Sequence, residues 1–177
     1  MTSRRPSTRR GRAARPSARR HRPAFSLLEL VLVLVIIGIA AAIAVPRHAA
    51  AVARYRAENA ARRVAADLHR ARDLARETSS DQKIAFAPAT DRYTLAGYAD
   101  PDRPGQAYTV ILSGSPYHAD LATAVFGEET SVTFNGFGVP TEGGKVAVQA
   151  GDYVWTITVD GESGEVTTSG PVRASLD

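Results

Sequence analysis

The feature that most constrains this chain is an apolar run of 21 residues from Phe25 to Val45. As a helix it would measure about 31 Å, close to the hydrocarbon thickness of a bilayer. The 16 residues from Leu30 to Val45 contain no charged or polar side chain, which is far more uniform than the core helix of a small soluble protein. The run therefore predicts a helix that spans a membrane.

The 24 residues before this run have a contrasting composition. They contain nine arginines and no acidic residue. Because they also lack the apolar residues that build a core, we expect residues 1–24 to form a disordered leader. Dense positive charge ahead of an apolar helix predicts that the N-terminus stays in the cytoplasm and that the remainder is exported. From Phe25 onward, 13 basic residues oppose 18 acidic ones, so the exported part is net acidic.

Helical character continues past the apolar run, over residues 46–78, which are rich in Ala, Arg, Glu and Leu. Apolar residues recur there at spacings of three and four, which predicts one buried stripe on an amphipathic helix. Pro46 separates the two halves and predicts a kink, because proline removes an amide donor and crowds the preceding turn. The predicted stripe consists of Ala57, Ala61, Val64, Leu68, Ala71 and Ala75.

Beyond Ser80 the apolar residues alternate with a period of two, which is typical of strands. The dipeptides "NG" at 135–136 and "DG" at 160–161 are turn signals. We therefore predict an α+β fold, in which a long N-terminal helix with a transmembrane first half packs on a small antiparallel β-sheet domain, residues 79–177. The predicted strands are 82–87, 92–98, 107–112, 131–134, 145–150, 153–159 and 165–168.

One carboxylate, Glu29, lies five residues into the apolar run. A charge in the middle of a membrane helix costs about 3 kcal/mol, so this residue needs a partner or an interface. If the chain were cut before Phe25, the new α-amine would lie one helical turn away and would be largely protonated at neutral pH. A neighbouring helix shifted along the axis could offer its own amine to Glu29. The charge would then set the register between stacked subunits.

The segment "RPAFSLLELVLVLVIIGIAAAIAVP", Arg22 to Pro46, resembles the class III signal and N-terminal helix of type IV pilins and type II secretion pseudopilins. The resemblance implies cleavage between Ala24 and Phe25 by the prepilin peptidase and N-methylation of Phe25. Glu29 matches the family's glutamate at mature position five, and Pro46 its proline at position 22. Ala24 departs from the usual glycine. An ordinary signal peptide, cut after Ala44 within "AIAV", is the alternative.

The C-terminal part of the sequence indicates which subfamily of pilin-like proteins the chain resembles. The segment "SVTFNGFGVPTEGGKVAVQAGDYVWTITVDGESGEVTT", residues 131–168, resembles the GspH/FimT family of minor pseudopilins. This implies a structural subunit of a periplasmic pseudopilus, with other pseudopilins, the prepilin peptidase, an inner-membrane assembly platform and the lipid bilayer as partners. The same family includes minor pilins of type IV pili that bind DNA for uptake. That alternative has little support here, because the exported region is net acidic and phosphate contacts need several cations.

Other patterns do not indicate an enzyme. The four histidines have no metal-ligand spacing, and we expect no catalytic set, no metal and no cofactor. The oxygen-rich segments "DPDRPG" (100–105) and "DGESGE" (160–165) are interpreted as turns, with calcium as a weaker alternative because neither has an EF-hand spacing. The arginines between Arg54 and Arg76 are expected to form a solvated, partly ion-paired face. Trp155 is expected to pack in the core.

Overall fold

The computed structural model describes residues 26–174. Its first element is helix α1, Leu27–Thr78, 52 residues long. The helix begins where the Oγ of Ser26 accepts a hydrogen bond from the amide of Glu29, at 3.1 Å. The backbone remains helical through Pro46, and the predicted kink there stays a prediction. The chain divides into two compact units at Ala41 and Ala42, and the β domain belongs wholly to the second.

The helix ends in a Schellman motif. Ser79 adopts the left-handed conformation with φ +49°, the amide of Ser80 donates to the carbonyl of Ala75, and the amide of Ser79 donates to that of Arg76. The Oγ1 of Thr78 also donates to the carbonyl of Leu74, at 2.7 Å. These bonds satisfy carbonyls of the last turn that would otherwise lack a donor.

Eight strands follow, and they form two four-stranded antiparallel sheets. The first sheet has the order β3-β2-β1-β5 and the second the order β4-β6-β7-β8. A 3-10 turn, Pro88–Thr90, joins the first two strands. The bounds are β1 Gln82–Ala87, β2 Arg92–Ala99, β3 Ala107–Ile111, β4 Asp120–Phe126, β5 Ser131–Phe134, β6 Gly144–Ala150, β7 Tyr153–Val159 and β8 Val166–Arg173.

The predicted fold class is confirmed: a long helix precedes a small antiparallel β domain. Two features were not predicted. Strand β4 was not predicted, because its sequence "DLATAVF" contains two alanines among few large apolar residues. Its pairing with β6 also shifts register between Leu121 and Thr123, which breaks the alternation of apolar and polar positions. The division into two sheets depends on β1 pairing with β5, whose partner residues lie 46 to 52 positions later in the chain, and no local pattern encodes it.

The core lies between the second half of α1 and the inner faces of the sheets. All six residues of the predicted stripe are buried, with at most 2% of their surface exposed, so the stripe is confirmed. The sheets contribute larger side chains, including Phe86 and Tyr93 from the first and Phe126 and Ile157 from the second. Because the helix presents mainly alanines, the sheets can pack closely against it.

Candidate assembly surface

The first half of α1 is covered by nothing in the described chain. Every residue from Leu27 to Val45 is exposed, and the large side chains range from 42% exposed for Val33 to 80% for Leu27. An apolar surface of this extent is not stable in water. The helix is long and apolar enough to cross a membrane. Its stability therefore depends on lipid or on other protein chains.

Glu29 is the acidic residue in the first turn of this helix. Its amide donates to the Oγ of Ser26, and the carbonyl of Ser26 accepts from the amide of Leu30 at 3.1 Å. Ser26 is thus the N-cap and Glu29 occupies the third helical position. The carboxylate also lies at the positive end of the helix dipole, which favours negative charge.

This N-cap was not predicted, although serine followed three residues later by glutamate before an apolar run, as in "SLLE", is a typical helix start. Between residues 26 and 174, no salt bridge involves the Glu29 carboxylate. The cap uses only the backbone amide of Glu29, so it leaves the carboxylate available for another partner. Ala24 and Phe25, the predicted cleavage and methylation residues, lie outside the described residues.

The second half of α1 is fastened to the first sheet by a buried charged cluster. The Oδ2 of Asp67 accepts a hydrogen bond from the Tyr93 hydroxyl at 2.6 Å and another from the Nε of Arg63 at 3.0 Å. Asp67 is only 3% exposed. Burial and the neighbouring Asp67 carboxylate raise the pKa of the Tyr93 hydroxyl, because both disfavour its ionised form.

Three further arginines extend this attachment along the helix. The guanidinium of Arg70 lies over the ring of Tyr98, 4.4 Å from its centroid, and donates to its hydroxyl. Arg72 donates to the carbonyl of Ser163 and Arg76 to that of Phe137, at 3.2 and 3.0 Å. Arg70 and Arg76 are exposed, as expected of a solvated face, and Arg72 is half-buried. The contacts of these three arginines with the β domain were not predicted.

The expected partial ion pairing is confirmed by the pair of Arg62 with Glu58. The sequence pattern could not separate the two groups of arginines, because the distinction depends on which loops of the β domain reach the helix. Those loops are 61 to 91 residues away along the chain.

The two oxygen-rich segments are turns. In "DGESGE" the Oδ1 of Asp160 accepts from the amides of Glu162 and Ser163 and from the Ser163 hydroxyl. These bonds from Ser163 and Glu162 lower the pKa of the Asp160 carboxyl. In "DPDRPG" the carboxylate of Asp100 binds the amide of Asp102 and the guanidinium of Arg103. The carboxylate oxygens thus have partners within their own turns.

Trp155 packs against the core, as predicted. Its indole lies beside Gly170, where a side chain would come within 2.9 Å of the ring. Gly170 also has φ +145°, a conformation that residues with a side chain rarely adopt. The glycine thus makes room for the tryptophan on the second sheet.

Two family models match this chain. The model described as "Type II transport protein GspH" matches residues 60–164, and the model described as "Prokaryotic N-terminal methylation motif" matches residues 19–45. The first match covers more than half of the chain. The chain belongs to the GspH family.

A sequence relative agrees with this assignment, and two solved structures are compared for their fold. Type II secretion system protein H of Xanthomonas campestris pv. campestris is 29% identical over 160 residues, which is 90% of each chain. The minor pseudopilin EpsH from the type 2 secretion system of Vibrio cholerae has a similar fold, with a TM-score of 0.50 and 15% identity over 64% of this chain and 96% of EpsH. The type IV minor pilin FimU of Pseudomonas aeruginosa has a TM-score of 0.47 and 17% identity, over 69% of this chain and 97% of FimU.

The chain is therefore a minor pseudopilin of type II secretion. Its family is structural, and membership implies contacts with other pseudopilins. The apolar helix and the methylation motif fit a protein anchored in the inner membrane. The alternative of a FimT-like pilin that binds DNA receives no better support from these matches.

Proposed function

We propose that this pseudopilin is cut between Ala24 and Phe25 by the prepilin peptidase and methylated on the new amine of Phe25. The observation that carries the proposal is the apolar half of α1, exposed from Leu27 to Val45 with Glu29 in its first turn. Residues 1–24 would be the leader that is removed. Residues 25–45 would span the inner membrane, with the N-terminus cytoplasmic.

The rest of the chain would then lie in the periplasm. Residues 46–78 would be the amphipathic half of the helix, and residues 79–177 would be the periplasmic region that contains the β domain. In an assembled pseudopilus the apolar half would leave the lipid and pack against the helices of other pseudopilins, major and minor. The inner-membrane assembly platform would drive this transfer, and the filament would push folded proteins through an outer-membrane channel.

The carboxylate of Glu29 would serve this assembly. A cut before Phe25 places Glu29 at mature position five, and the new amine is a cation at neutral pH. The amine of an adjacent subunit, shifted along the filament axis, is a suitable partner in a low-dielectric environment, where opposite charges attract strongly. Pairing would also fix the axial register of the two helices.

The experiment is N-terminal sequencing of the mature protein, expressed with and without prepilin peptidase. We expect Phe25 as the first residue, as a methylated amine, only when the peptidase is present. The variant Ala24→Gly, which restores the family's usual residue, should increase the cut fraction. Ala44→Leu should leave the Phe25 terminus unchanged. A mature chain that begins at Val45 would contradict the proposal and indicate an ordinary signal peptide.

A further inference from the structure

A cationic pocket lies on α1 just beyond the apolar run. It has a volume of about 460 Å³ and is lined by Arg47 and Arg54 from the helix and by two tyrosines, Tyr55 and Tyr153. Tyr55 is 66% exposed. The floor consists of alanines of α1. A small cavity with cationic and aromatic walls suits an anionic group attached to an apolar body.

The charge of this pocket is positive. One carboxylate, that of Glu58, also lines it, but its Oε1 is paired with Arg62 at 2.5 Å. Over residues 26–174, neither Arg47 nor Arg54 takes part in a salt bridge. A further cation, Arg173, lies 5.9 Å from the centroid of the Tyr153 ring. The site therefore offers several N–H donors to an anion.

The position of the pocket indicates where that anion comes from. Arg47 follows the last apolar residue, Val45, by two positions, about 3 Å along the helix, and Arg54 follows it by nine, about 14 Å. Side chains on a helix lean toward its N-terminus, which brings the long side chain of Arg54 and the ring of Tyr55 back toward the apolar run. Lipid headgroups occupy the layer just outside the hydrocarbon core, where arginine and tyrosine side chains are favoured.

We propose that the pocket of Arg47, Arg54, Tyr55 and Tyr153 binds the phosphate of an anionic phospholipid headgroup before the subunit is assembled. The inference rests on the membrane anchoring in the proposed function. Exported flanks of membrane helices usually carry few Lys and Arg residues, so two arginines without a salt bridge at this flank are unusual, and an anionic headgroup is a suitable partner for them. A bound headgroup offsets part of their charge and holds the base of the β domain at the membrane surface.

The test measures lipid binding by the full chain in a neutral detergent, using native mass spectrometry. Short-chain phosphatidylglycerol, which is anionic, is compared with phosphatidylcholine of the same chain length. We expect tighter binding of phosphatidylglycerol. The double variant Arg47→Gln/Arg54→Gln should weaken it more than about tenfold, since each arginine near a headgroup contributes roughly fivefold. Binding of phosphatidylcholine should not change.

The matched control is Lys83→Gln/Arg92→Gln, which removes the same charge from exposed positions on β1 and β2 and should change phosphatidylglycerol binding by less than about twofold. All variants share the same N-terminus, so lipid binding by the leader contributes equally to each of them. Equal losses in the two double variants, or no lipid preference in the unmodified chain, would overturn the inference. So would displacement of the lipid by equimolar glycerol 3-phosphate, since the pocket would then be a site for free phosphate.

Reconstitution in lipid nanodiscs separates this inference from the proposed function. A chain that does not insert into nanodiscs of either lipid contradicts the proposed anchoring and this inference with it. A chain that inserts but binds both lipids equally contradicts the headgroup pocket alone, and leaves the proposed cleavage and assembly untouched.

Discussion

The two halves of α1 have the same backbone conformation and opposite surroundings. From Leu27 to Val45 large apolar side chains are exposed on every side of the helix. From Arg47 to Thr78 a single stripe is buried, and six of its eight buried apolar residues are alanines. The second half has its partner within the chain and needs small residues so that the sheets can approach. The first half needs a partner from outside and presents large side chains to it.

The polar residues of the two halves show the same contrast. In the second half a buried carboxylate, Asp67, has two donors from its own chain, Arg63 and Tyr93. In the first half the backbone amide of Glu29 donates to the Oγ of Ser26. The carboxylate of Glu29 has no salt bridge within residues 26–174. A charge removed from water is costly unless it is paired. If lipid or other chains cover the apolar half, the carboxylate of Glu29 would need a partner from outside the described chain.

The largest expected difference comes from removing one leucine from each half. Leu68→Ala deletes a side chain that is fully buried and should lower the free energy of unfolding of the β domain by about 2–5 kcal/mol. Leu34→Ala removes a side chain that is 59% exposed and should leave that free energy unchanged within about 0.5 kcal/mol. Urea unfolding followed by Trp155 fluorescence measures both. Equal effects would mean that the two halves are not energetically distinct.

A smaller effect is expected at the charged cluster. Tyr93→Phe removes the hydrogen bond to Asp67 and should cost about 1.5–3 kcal/mol at neutral pH, as bonds to charged groups do. Tyr55→Phe, on the exposed face, is the control and should cost nothing measurable. Unfolding in urea at pH 7 checks both variants. A Tyr93→Phe protein as stable as the unmodified chain would show that the cluster does not fasten the helix.

The raised pKa of Tyr93 also makes the stability of the folded chain depend on pH. Burial raises the pKa of Tyr93 in the folded chain above the ordinary value of about 10. Above that pH the unfolded chain loses the proton while the folded chain keeps it, so stability falls as pH rises, by about 1.4 kcal/mol per pH unit. Below pH 10 the contribution is fully present. Stability measured from pH 9 to 11 should fall more steeply in the unmodified chain than in Tyr93→Phe, and parallel curves would contradict this.

The smallest expected effect concerns the loop that contacts Arg72. Hydrogen bonds from the Ser163 amide and hydroxyl and the Glu162 amide hold the pKa of Asp160 below its ordinary value of about 3.9. The stabilisation is present above that pH and is lost as pH falls toward the folded pKa. NMR titration should show that Ser163→Ala raises the pKa of Asp160, whereas Ser113→Ala does not. An unchanged pKa in Ser163→Ala would mean that the hydroxyl is not a donor.

The elements that could be predicted from the sequence are those with a local period. The helix stripe from Ala57 to Ala75 follows a spacing of three and four, and seven strands follow an alternation of two. Strand β4 was missed because an irregular register disrupts its alternation. The strand order could not be predicted, since it depends on pairings between distant segments. The cluster at Asp67 was missed for the same reason, because Tyr93 is 26 residues away.

Of the candidate site, only the features with a local sequence signal could be predicted. The apolar run and Glu29 could be identified because a charge in such a run is rare and costly. The cap from Ser26 could also have been read from "SLLE", since capping boxes have a fixed spacing. The pocket of Arg47 and Arg54 was not recognisable, because Tyr153 reaches it from β7. The predicted kink at Pro46 and the cleavage at Ala24 and Phe25 remain predictions.

We propose that the exposed half of α1 is an assembly surface whose register depends on the carboxylate of Glu29. The most direct measurement is co-purification of Glu29→Gln with partner pseudopilins, with secretion of a reporter protein in parallel. Glutamine keeps the shape and the backbone bond to Ser26 and removes only the charge. We expect normal insertion and processing, with at least about tenfold less recovered complex, because the neighbour's amine is left unpaired. Ser26→Ala, which removes the cap and keeps the charge, should assemble almost normally. A processed Glu29→Gln protein that assembles and secretes like the unmodified chain would contradict the account.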